Sequence, residues 1–240
     1  PDTDGDGLFD ESTLFADNLI LPTGIMRWKK GVIVTDAPDV LYLEDTDGDG
    51  IADKREVLLT GFSRSNAQHN MNSPKYGLDN WIYIGHEGAV FTKTFTEDFG
   101  GMGEIIRFPN SPDAPNLPQN ANSRSVRFQP DQKRLEMLSG RTQFGFSFDN
   151  WGHLFYTSSA NHLYHEVIAA AYLEGKKNLP ITTTRNYLPE YGPGSEIYPI
   201  TENPEPQILT DVGAITAASG LTLYQADAFP EAYNQVIFTA

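Results

Sequence analysis

Two copies of one hairpin pattern constrain the fold of this chain more than any other feature of its sequence. Residues 76–85 and 146–156 each carry the tripeptide Asp-Asn-Trp between two segments that are suited to β-strands. Internal self-similarity of this kind is typical of repeat architectures, in which every repeat contributes one small sheet. The sequence therefore predicts an all-β fold built from successive antiparallel sheets.

Other β-rich segments extend this pattern along most of the chain. Between residues 24 and 44, such segments alternate with Gly, Pro and Asp turns, and a further one follows at 55–60. Strands are also predicted at 103–108, 134–138, 162–167, 206–209, 220–224 and 236–240. The equivalent first residues of the successive units are predicted to be Gly24, Gly77, Gly145 and Gly220. Insertions are expected at 95–101, 110–123 and 169–195, the last of them beginning as a short helix.

The lengths of the units favour a β-propeller, because propeller blades that carry insertions have this size. Blade-like units are predicted at about residues 14–61, 62–138 and 139–210, followed by an incomplete unit at 211–240. The chain would then hold about three and a half blades of a larger propeller.

Residues 45–56 have the composition of an EF-hand-like calcium loop. Ca2+ takes its oxygen ligands from positions 1, 3, 5, 7, 9 and 12 of such a loop, and a glycine at position 6 allows the sharp turn. The ligand positions hold Asp45, Asp47, Asp49, the carbonyl of Ile51, Asp53 and Glu56, and Gly50 stands at the sixth position. A Ca2+ ion ligated fully by protein has no open position for a substrate, so the loop predicts a structural role for the metal.

A second loop at the start of the chain repeats this pattern without its last ligand. Its matching positions hold Asp2, Asp4, Asp6, the carbonyl of Leu8 and Asp10. At the twelfth position of the loop, however, Thr13 replaces the glutamate. Threonine cannot bind Ca2+ bidentately, so this site is expected to be weaker or to be completed from elsewhere. The alternative interpretation of both loops is an acidic turn in contact with solvent.

Composition limits the kinds of binding partner and the cellular location that can be expected for this chain. The net charge is −15, and two bound Ca2+ ions would change it to −11, so nucleic acid and anionic membranes are unsuitable partners. The absence of cysteine excludes disulfides and thiolate chemistry in this segment, and no apolar run is long enough for direct membrane insertion. Calcium loops of extracellular modules suit millimolar Ca2+, so we expect an extracytoplasmic location: periplasm, cell envelope or secretion.

Two polar clusters precede predicted inner strands and are the places where chemistry is expected. In propellers, loops around the central channel carry the function while the strands supply rigidity. The first cluster contains His69, between Gln68 and Asn70, and the second contains Arg141, Thr142 and Gln143.

These motifs resemble a known family. Asp-Thr-Asp-Gly-Asp-Gly with the following Lys-Arg-Glu, then Gln-His-Asn at 68–70, Gly-Leu-Asp-Asn-Trp-Ile-Tyr at 77–83 and Gly-Arg-Thr-Gln-Phe-Gly at 140–145 are similar to the propeller domain of the membrane-bound dehydrogenases of planctomycetes and verrucomicrobia. That family is distantly similar to the soluble glucose and sorbosone dehydrogenases that use pyrroloquinoline quinone (PQQ). The resemblance implies a six-bladed propeller that oxidises a sugar or an alcohol by hydride transfer to PQQ and passes electrons to an acceptor such as a cytochrome c.

The resemblance also implies roles for individual residues. His69 matches the general base that takes the substrate's hydroxyl proton, which is a common role of histidine. Arg141 matches the arginine that grips the quinone. The family has asparagine where this chain has Thr142, so the amide role is assigned to Gln143, next along the chain. Because further cofactor contacts of the family lie in later blades, we expect the segment by itself to be inactive.

Other interpretations of the same residues stay open. His69 could be a polar loop residue, and Arg141 could bond main-chain carbonyls. His86 and His153 are predicted to be solvated. Trp28, Trp81 and Trp151 recur at related points of successive units and are predicted to serve packing rather than to form a platform for a sugar. The second functional class is a non-enzymatic, Ca2+-stiffened propeller that binds a protein or a glycan in a cell-envelope assembly.

Overall fold

The computed structural model describes residues 2–91, 93, 96–173, 183–188 and 218–239. Within these residues the chain is mostly β-strand and forms several small antiparallel sheets, as the sequence predicts. Three sheets have four strands each and two have two strands. No helix among the described residues is long and apolar enough to cross a lipid bilayer.

The first sheet is a four-stranded meander. Its strands are β1 (Gly24–Trp28), β2 (Gly31–Asp36), β3 (Asp39–Glu44) and β4 (Lys54–Leu59), in that spatial order. Two-residue turns join the first three strands, and the Asp-rich loop joins β3 to β4. The four predicted strands of this unit are confirmed.

The second sheet contains a long excursion between its second and third strands. The elements of this region are β5 (Asn72–Tyr76), β6 (Ile82–Gly85), α1 (Thr96–Phe99), β7 (Ile105–Ile106), β8 (Leu117–Gln119), β9 (Val126–Gln129) and β10 (Arg134–Met137). The sheet has the order β10-β9-β6-β5, while β7 and β8 pair only with each other. The prediction that 103–108 is a strand of this sheet is therefore wrong.

The segment around β7 is bonded instead to the residues that directly follow β4 of the first sheet. Thr60 and Arg107 form an isolated antiparallel bridge, and the N–H of Glu104 donates to the carbonyl of Gly61 at 2.8 Å. Ile106 is fully buried in the core below. The prediction that Gly77 starts the second unit is also wrong, because this glycine follows β5. It begins the turn between β5 and β6, and its own N–H donates to the carbonyl of Trp81 at 2.9 Å.

The third sheet and a terminal hairpin complete the described strands. They are β11 (Phe146–Phe148), β12 (Leu154–Ser158), β13 (Asn161–Glu166) and β14 (Arg185–Tyr187), followed by the hairpin of β15 (Thr222–Tyr224) and β16 (Val236–Phe238). The fourth place in the third sheet is taken by β14, which lies in the predicted insertion 169–195. The strand predicted at 206–209 lies outside the described residues. The short helix predicted near residue 170 is a single 3-10 turn, Ala170–Tyr172.

Apolar side chains fill the spaces between consecutive sheets. One buried cluster combines Ile33, Val40 and Leu59 of the first sheet with Ile82 and Phe128 of the second. A second cluster joins the second and third sheets, and its main members are Trp81, Tyr83, Leu138, Phe146, Leu154, Tyr156 and Tyr164. Burial of this apolar surface is the main stabilising contribution to the fold.

The tryptophans do not all pack as predicted. Trp28 and Trp81 are each only 8% exposed and belong to the buried clusters, which confirms the packing role for both. Trp151 stands at the same point of the Asp-Asn-Trp turn as Trp81, but it is 71% exposed. The packing prediction is wrong for Trp151, because no described side chain covers its ring.

Residues at the start of successive sheets contact one another in series. The hydroxyl of Thr23 donates to the carbonyl of Met71, just before β5. The side chain of Asn72 donates to the carbonyl of Gln143 at 2.7 Å, just before β11, and Gly145 lies against the backbone of Gly220. The loops that lead into the first strand of each sheet are therefore gathered at one end of the molecule.

Candidate functional site

His69 lies at this gathered end, three residues before β5. It is the last residue of the 3-10 turn Ala67–His69, and its N–H donates to the carbonyl of Asn66 at 3.0 Å. The side chain of Asn66 accepts from the N–H of Gln68 at 3.0 Å and so caps the turn. These two bonds fix the backbone that presents the imidazole.

A carboxylate orients the His69 ring. Nδ1 of His69 forms a short hydrogen bond with Oε1 of Glu87, and the two side chains are 21% and 13% exposed. A carboxylate at Nδ1 keeps the proton of the neutral imidazole on that nitrogen. Nε2 is then the nitrogen that can accept a proton, which is the arrangement of an oriented general base.

Glu87 was not among the residues singled out from the sequence. It follows β6 by two residues, and Asn72 of β5 pairs with Gly85 of β6. Because the two strands are antiparallel, residues just before β5 and just after β6 emerge side by side. An acidic residue just after β6, at the same end of the hairpin as His69, is the sequence signal that identifies Glu87.

His86, next to Glu87, is buried rather than solvated, so that prediction is wrong. Its ring packs edge-to-face on Phe62 with 5.3 Å between centroids, and Nδ1 lies 3.0 Å from the carbonyl of Arg124. Burial lowers the pKa of His86 to about 4. His86 is therefore neutral at pH 7 and donates its Nδ1 proton to the Arg124 carbonyl. His153, by contrast, carries an exposed side chain held by Asp149 at 2.6 Å, as predicted.

Two buried asparagines surround the His69 turn. The amide of Asn72 donates to the carbonyl of Asn70 at 3.0 Å and to that of Gln143 at 2.7 Å, and its oxygen accepts from the N–H of Gly145 at 3.3 Å. The side chain of Asn70 is also buried, and neither its oxygen nor its nitrogen has a partner among the described residues. An unpaired buried amide lowers the stability of the folded state, so the Asn70 side chain is suited to bind a ligand or a water molecule.

The second predicted cluster supplies an exposed arginine. Arg141 is exposed, and it forms no hydrogen bond or ion pair with any residue that the structure describes. Within the described ranges, therefore, Arg141 bonds to no main-chain carbonyl. Thr142 takes that structural part, because its buried Oγ1 lies 2.8 Å from the carbonyls of Gly145 and Thr157.

Glu166 supports the loop of Arg141 from behind. Its carboxylate accepts from the N–H of Gly140 at 3.2 Å, and it lines a small cavity together with Arg141 and Tyr156. Burial raises the pKa of Glu166 above its usual range. The chain before β11 is thus fixed by hydrogen bonds, while the Arg141 side chain forms no hydrogen bond or ion pair with the described residues.

His69 and the second cluster are connected through the backbone. No hydrogen bond joins His69 to Arg141 or Gln143 within the described ranges, but Asn72 bonds to the main chain on both sides. The carbonyl of Gln143 is thus occupied by Asn72, and its side chain is half-buried. The predicted residues therefore share one end of the molecule without hydrogen bonding to one another.

The loop at 45–53 is preorganised around its acidic side chains. Asp45 accepts from the N–H groups of Gly48 at 2.6 Å and Gly50 at 2.8 Å, and Asp49 accepts from that of Ile51 at 2.8 Å. Carboxylate oxygens of Asp45, Asp47 and Asp49 lie within 4.8 Å of one another. The hydrogen bonds from the backbone N–H groups of Gly48 and Gly50 lower the pKa of Asp45.

Two predicted ligands of this loop lie apart from that cluster. Asp53 accepts from Thr46, at 2.8 Å from its N–H and 2.5 Å from its hydroxyl, and so ties the two ends of the loop together. Glu56 already belongs to β4 and lines a cleft beside Lys54 and Trp28. The structure thus brings three of the predicted side chains together and leaves Asp53 and Glu56 outside the group.

The first loop has the same internal hydrogen bonds. Asp2 accepts from Gly5 at 2.7 Å and Gly7 at 3.0 Å, as Asp45 does in the second loop, and Asp10 accepts from the N–H of Thr3 at 2.7 Å. Here the oxygens that converge within 4.8 Å belong to Asp2, Asp4 and Asp10. Asp6 accepts instead from the N–H of Leu8 at 2.8 Å.

Comparison with known proteins identifies the family but not an activity. No curated protein and no solved structure matches the chain. The sequence family described as a domain of unknown function (DUF7133) matches residues 1–240, the whole length of the chain. The chain therefore belongs to the DUF7133 family.

Proposed function

We propose that this domain is part of a quinoprotein-type dehydrogenase that oxidises a sugar or an alcohol. The observation that carries the proposal is the His69–Glu87 pair at the gathered end of the sheets. An imidazole whose Nδ1 is held by a carboxylate is suited to remove a hydroxyl proton through Nε2. The proposal includes the propeller fold, with six blades in the whole protein, which the packing of consecutive four-stranded sheets supports.

The residues at this end fit an acidic quinone such as PQQ. Arg141 offers an exposed guanidinium, and Gln143 and Asn70 offer amides, of which the Asn70 amide is buried without a partner in the described residues. Guanidinium groups suit the carboxylates and the quinone oxygens of such a molecule. Arg141, Gln143 and Asn70 are thus the residues of this chain that would hold it.

His69 performs one half of the proposed oxidation. As the alcohol carbon becomes a carbonyl, its hydroxyl proton passes to Nε2 of His69, and its hydrogen leaves with the electron pair as hydride. When bound, PQQ supplies the acceptor for that hydride and later releases two electrons to an acceptor such as a cytochrome c. Glu87 stabilises the imidazolium that His69 becomes.

The test uses the intact protein reconstituted with PQQ and Ca2+ and an artificial electron acceptor over a panel of sugars and alcohols. His69→Ala is expected to keep PQQ binding and to lose activity by about 100-fold or more, the range for removal of a general base. Glu87→Gln is expected to lower kcat and change its pH profile, because the ring is no longer held by a charge. Arg141→Gln is expected to weaken PQQ binding instead.

Two results would contradict this function. Absence of PQQ uptake by the intact protein would remove the quinoprotein assignment. Full activity of His69→Ala with bound cofactor would remove His69 as the base. A surface variant such as Asn110→Ala, in an exposed turn, serves as the control for handling losses.

We further propose that the loop at 45–53 binds Ca2+ and stiffens the first sheet, and that the loop at 2–10 does so more weakly. The convergent oxygens of Asp45, Asp47 and Asp49 support this. Calcium in loops of this kind supports an extracytoplasmic location, where Ca2+ is abundant.

The second candidate function is a Ca2+-stiffened scaffold that binds an envelope protein or a glycan. It is favoured by the turns opposite to His69, where Trp151 is 71% and Leu78 is 69% exposed. Contiguous exposed apolar patches mark interaction surfaces, and the Leu78 side chain lies against Gly152, next to Trp151. Trp151→Ala would abolish partner capture under this alternative and leave dehydrogenase activity unchanged.

A further inference from the structure

A cleft of about 350 Å3 lies between the first and second sheets and belongs to neither polar cluster. Its walls come from the turn between β1 and β2, from β3 and β4, and from the turn between β9 and β10. None of its residues belongs to the loops that carry His69 or Arg141. Its volume is that of a site for a small organic molecule.

Lysines are concentrated in this cleft. Four of the eight lysines in the chain line it, namely Lys29, Lys30, Lys54 and Lys133, although the chain as a whole has a net charge of −15. Lys29 is paired with Asp131 across the two sheets, and Lys54 with Glu44 at 3.0 Å. Lys30 and Lys133 are in no ion pair with any residue of the described ranges.

Aromatic rings contact three of these ammonium groups, and one of them is Lys133, whose Nζ lies 5.3 Å from the centroid of Phe108. Trp28 and Tyr42 pack edge-to-face with 5.0 Å between centroids. The Nζ of Lys29 lies 4.2 Å from the Trp28 centroid, and that of Lys54 lies 5.1 Å from the Tyr42 centroid. Cation–π contacts of this kind fix the charges along the wall, so binding would cost less side-chain entropy.

Three carboxylates limit which anions the cleft can accept. Glu44, Glu56 and Asp131 also line it, so the formal charge of its walls is four positive against three negative. A dianion such as phosphate would be repelled by these carboxylates at short range. A single carboxylate can instead lie against the unpaired lysines, while hydroxyl groups of the same molecule donate to the acidic side chains.

We propose that this cleft binds a sugar acid, a hydroxylated molecule with one carboxylate such as a hexuronate. Lys30 and Lys133 receive the carboxylate, and Glu44 and Glu56 accept hydrogen bonds from hydroxyl groups. The site is independent of the dehydrogenase proposed above, because it shares no residue with the His69 and Arg141 loops.

The test is calorimetric titration of the intact protein, saturated with Ca2+ and without PQQ, with glucuronate, glucose and inorganic phosphate. Glucuronate is expected to bind at least tenfold more tightly than glucose or phosphate, a difference of about 1.4 kcal/mol. Lys30→Gln and Lys133→Gln are each expected to weaken glucuronate binding about tenfold, and higher salt is expected to weaken it too. Lys93→Gln, at an exposed lysine outside the cleft, is expected to change nothing.

Three outcomes would overturn the proposal. Glucuronate that does not bind at millimolar concentration, or that binds no better than glucose, would remove the anion site. Phosphate that binds more tightly than glucuronate would replace the sugar acid by a polyanion. Unchanged affinity in folded Lys30→Gln and Lys133→Gln proteins would place binding elsewhere. His69→Ala protein, titrated in parallel, keeps this result separate from any failure of the dehydrogenase.

Discussion

His69 and His86 lie at the same end of the β5–β6 hairpin, but their surroundings give them opposite chemical properties. His69 is partly exposed and held by the Glu87 carboxylate, so it can take up a proton and share the resulting charge. His86 is fully buried, and its only described polar contacts are with main-chain atoms and the Ser125 side chain. The sequence offers no means of separating the two, since both stand among polar residues near turns.

The burial of His86 predicts a loss of stability in mild acid. Its pKa falls from 6.5 to about 4 in the folded state. Between these two pH values the imidazole is therefore protonated in the unfolded chain but neutral in the folded chain. Stability should decrease as the pH falls from 6.5 towards 4, by a contribution on the order of 3 kcal/mol, and this contribution should level off below pH 4. Urea unfolding of wild-type and His86→Gln protein across this range measures it.

The comparison isolates one proton. His86→Gln keeps an N–H group for the Arg124 carbonyl, so its free energy of unfolding is expected to depend less on pH than that of the wild type. Asn110→Ala, in an exposed turn and without a titratable group, is the control and should leave the slope close to wild type. Identical slopes for wild type and His86→Gln would mean that folding does not lower the pKa of His86.

Among the elements, the Asp-rich loop is the one whose sequence pattern is most specific. The sequence places the loop between β3 and β4 and identifies the carboxylates that converge, Asp45, Asp47 and Asp49. It also predicts a strand at 55–60, and β4 begins one residue earlier, at Lys54, so the twelfth position of the loop lies within the strand. Strand pairing with β3 then fixes the backbone of Glu56 opposite Tyr42 and directs its side chain into the lysine-lined cleft.

Calcium removal should therefore destabilise the protein through the aspartates. A ligand that binds only the folded state raises stability by mass action, so EDTA is expected to lower Tm relative to excess Ca2+. Asp49→Asn should abolish most of this difference, because it removes a charge from the converging group. Glu56→Gln should preserve most of it. Differential scanning calorimetry of the three proteins, each with Ca2+ and with EDTA, measures these shifts.

The pair of variants makes the result decisive for the loop. If Glu56→Gln loses the Ca2+ effect as fully as Asp49→Asn, Glu56 is a ligand and must turn away from the cleft on binding. If EDTA leaves Tm of the wild type unchanged, the loop does not hold Ca2+ in the folded protein.

At the scale of the whole molecule, local patterns predicted the sheets well and their long-range partners less well. The hairpins at 24–44 and 146–158 were found because turn residues and alternating apolar residues are local features. Val126–Gln129 was missed as the third strand of the second sheet, because forty residues separate Gly85 from Val126 and a nearer apolar segment, 105–106, looked equally suitable. Pairing across such an excursion is decided by packing, which the sequence pattern alone does not reveal.

The contacts that join the sheets were equally invisible to sequence patterns. Asn72 and Lys75 of β5 donate to the carbonyls of Gln143 at 2.7 Å and Phe146 at 2.6 Å, more than seventy residues away. Asn72 is fully buried and Lys75 is half-buried. Burial lowers the pKa of Lys75. The candidate site depends on these contacts, because they hold the loop of Arg141 beside the turn of His69.

Removal of the Asn72 amide should thus weaken the whole molecule rather than one loop. Asn72→Ala leaves the Gln143 carbonyl and the Gly145 N–H unpaired in a buried position, and each such group costs about 1–3 kcal/mol. We expect the free energy of unfolding in urea to fall by about 2–4 kcal/mol, with one transition and an unchanged m value. Asn110→Ala, in an exposed turn, is the control and should stay within about 0.5 kcal/mol of the wild type. A loss that small for Asn72→Ala would show that the Asn72 amide does not help to hold the second and third sheets together.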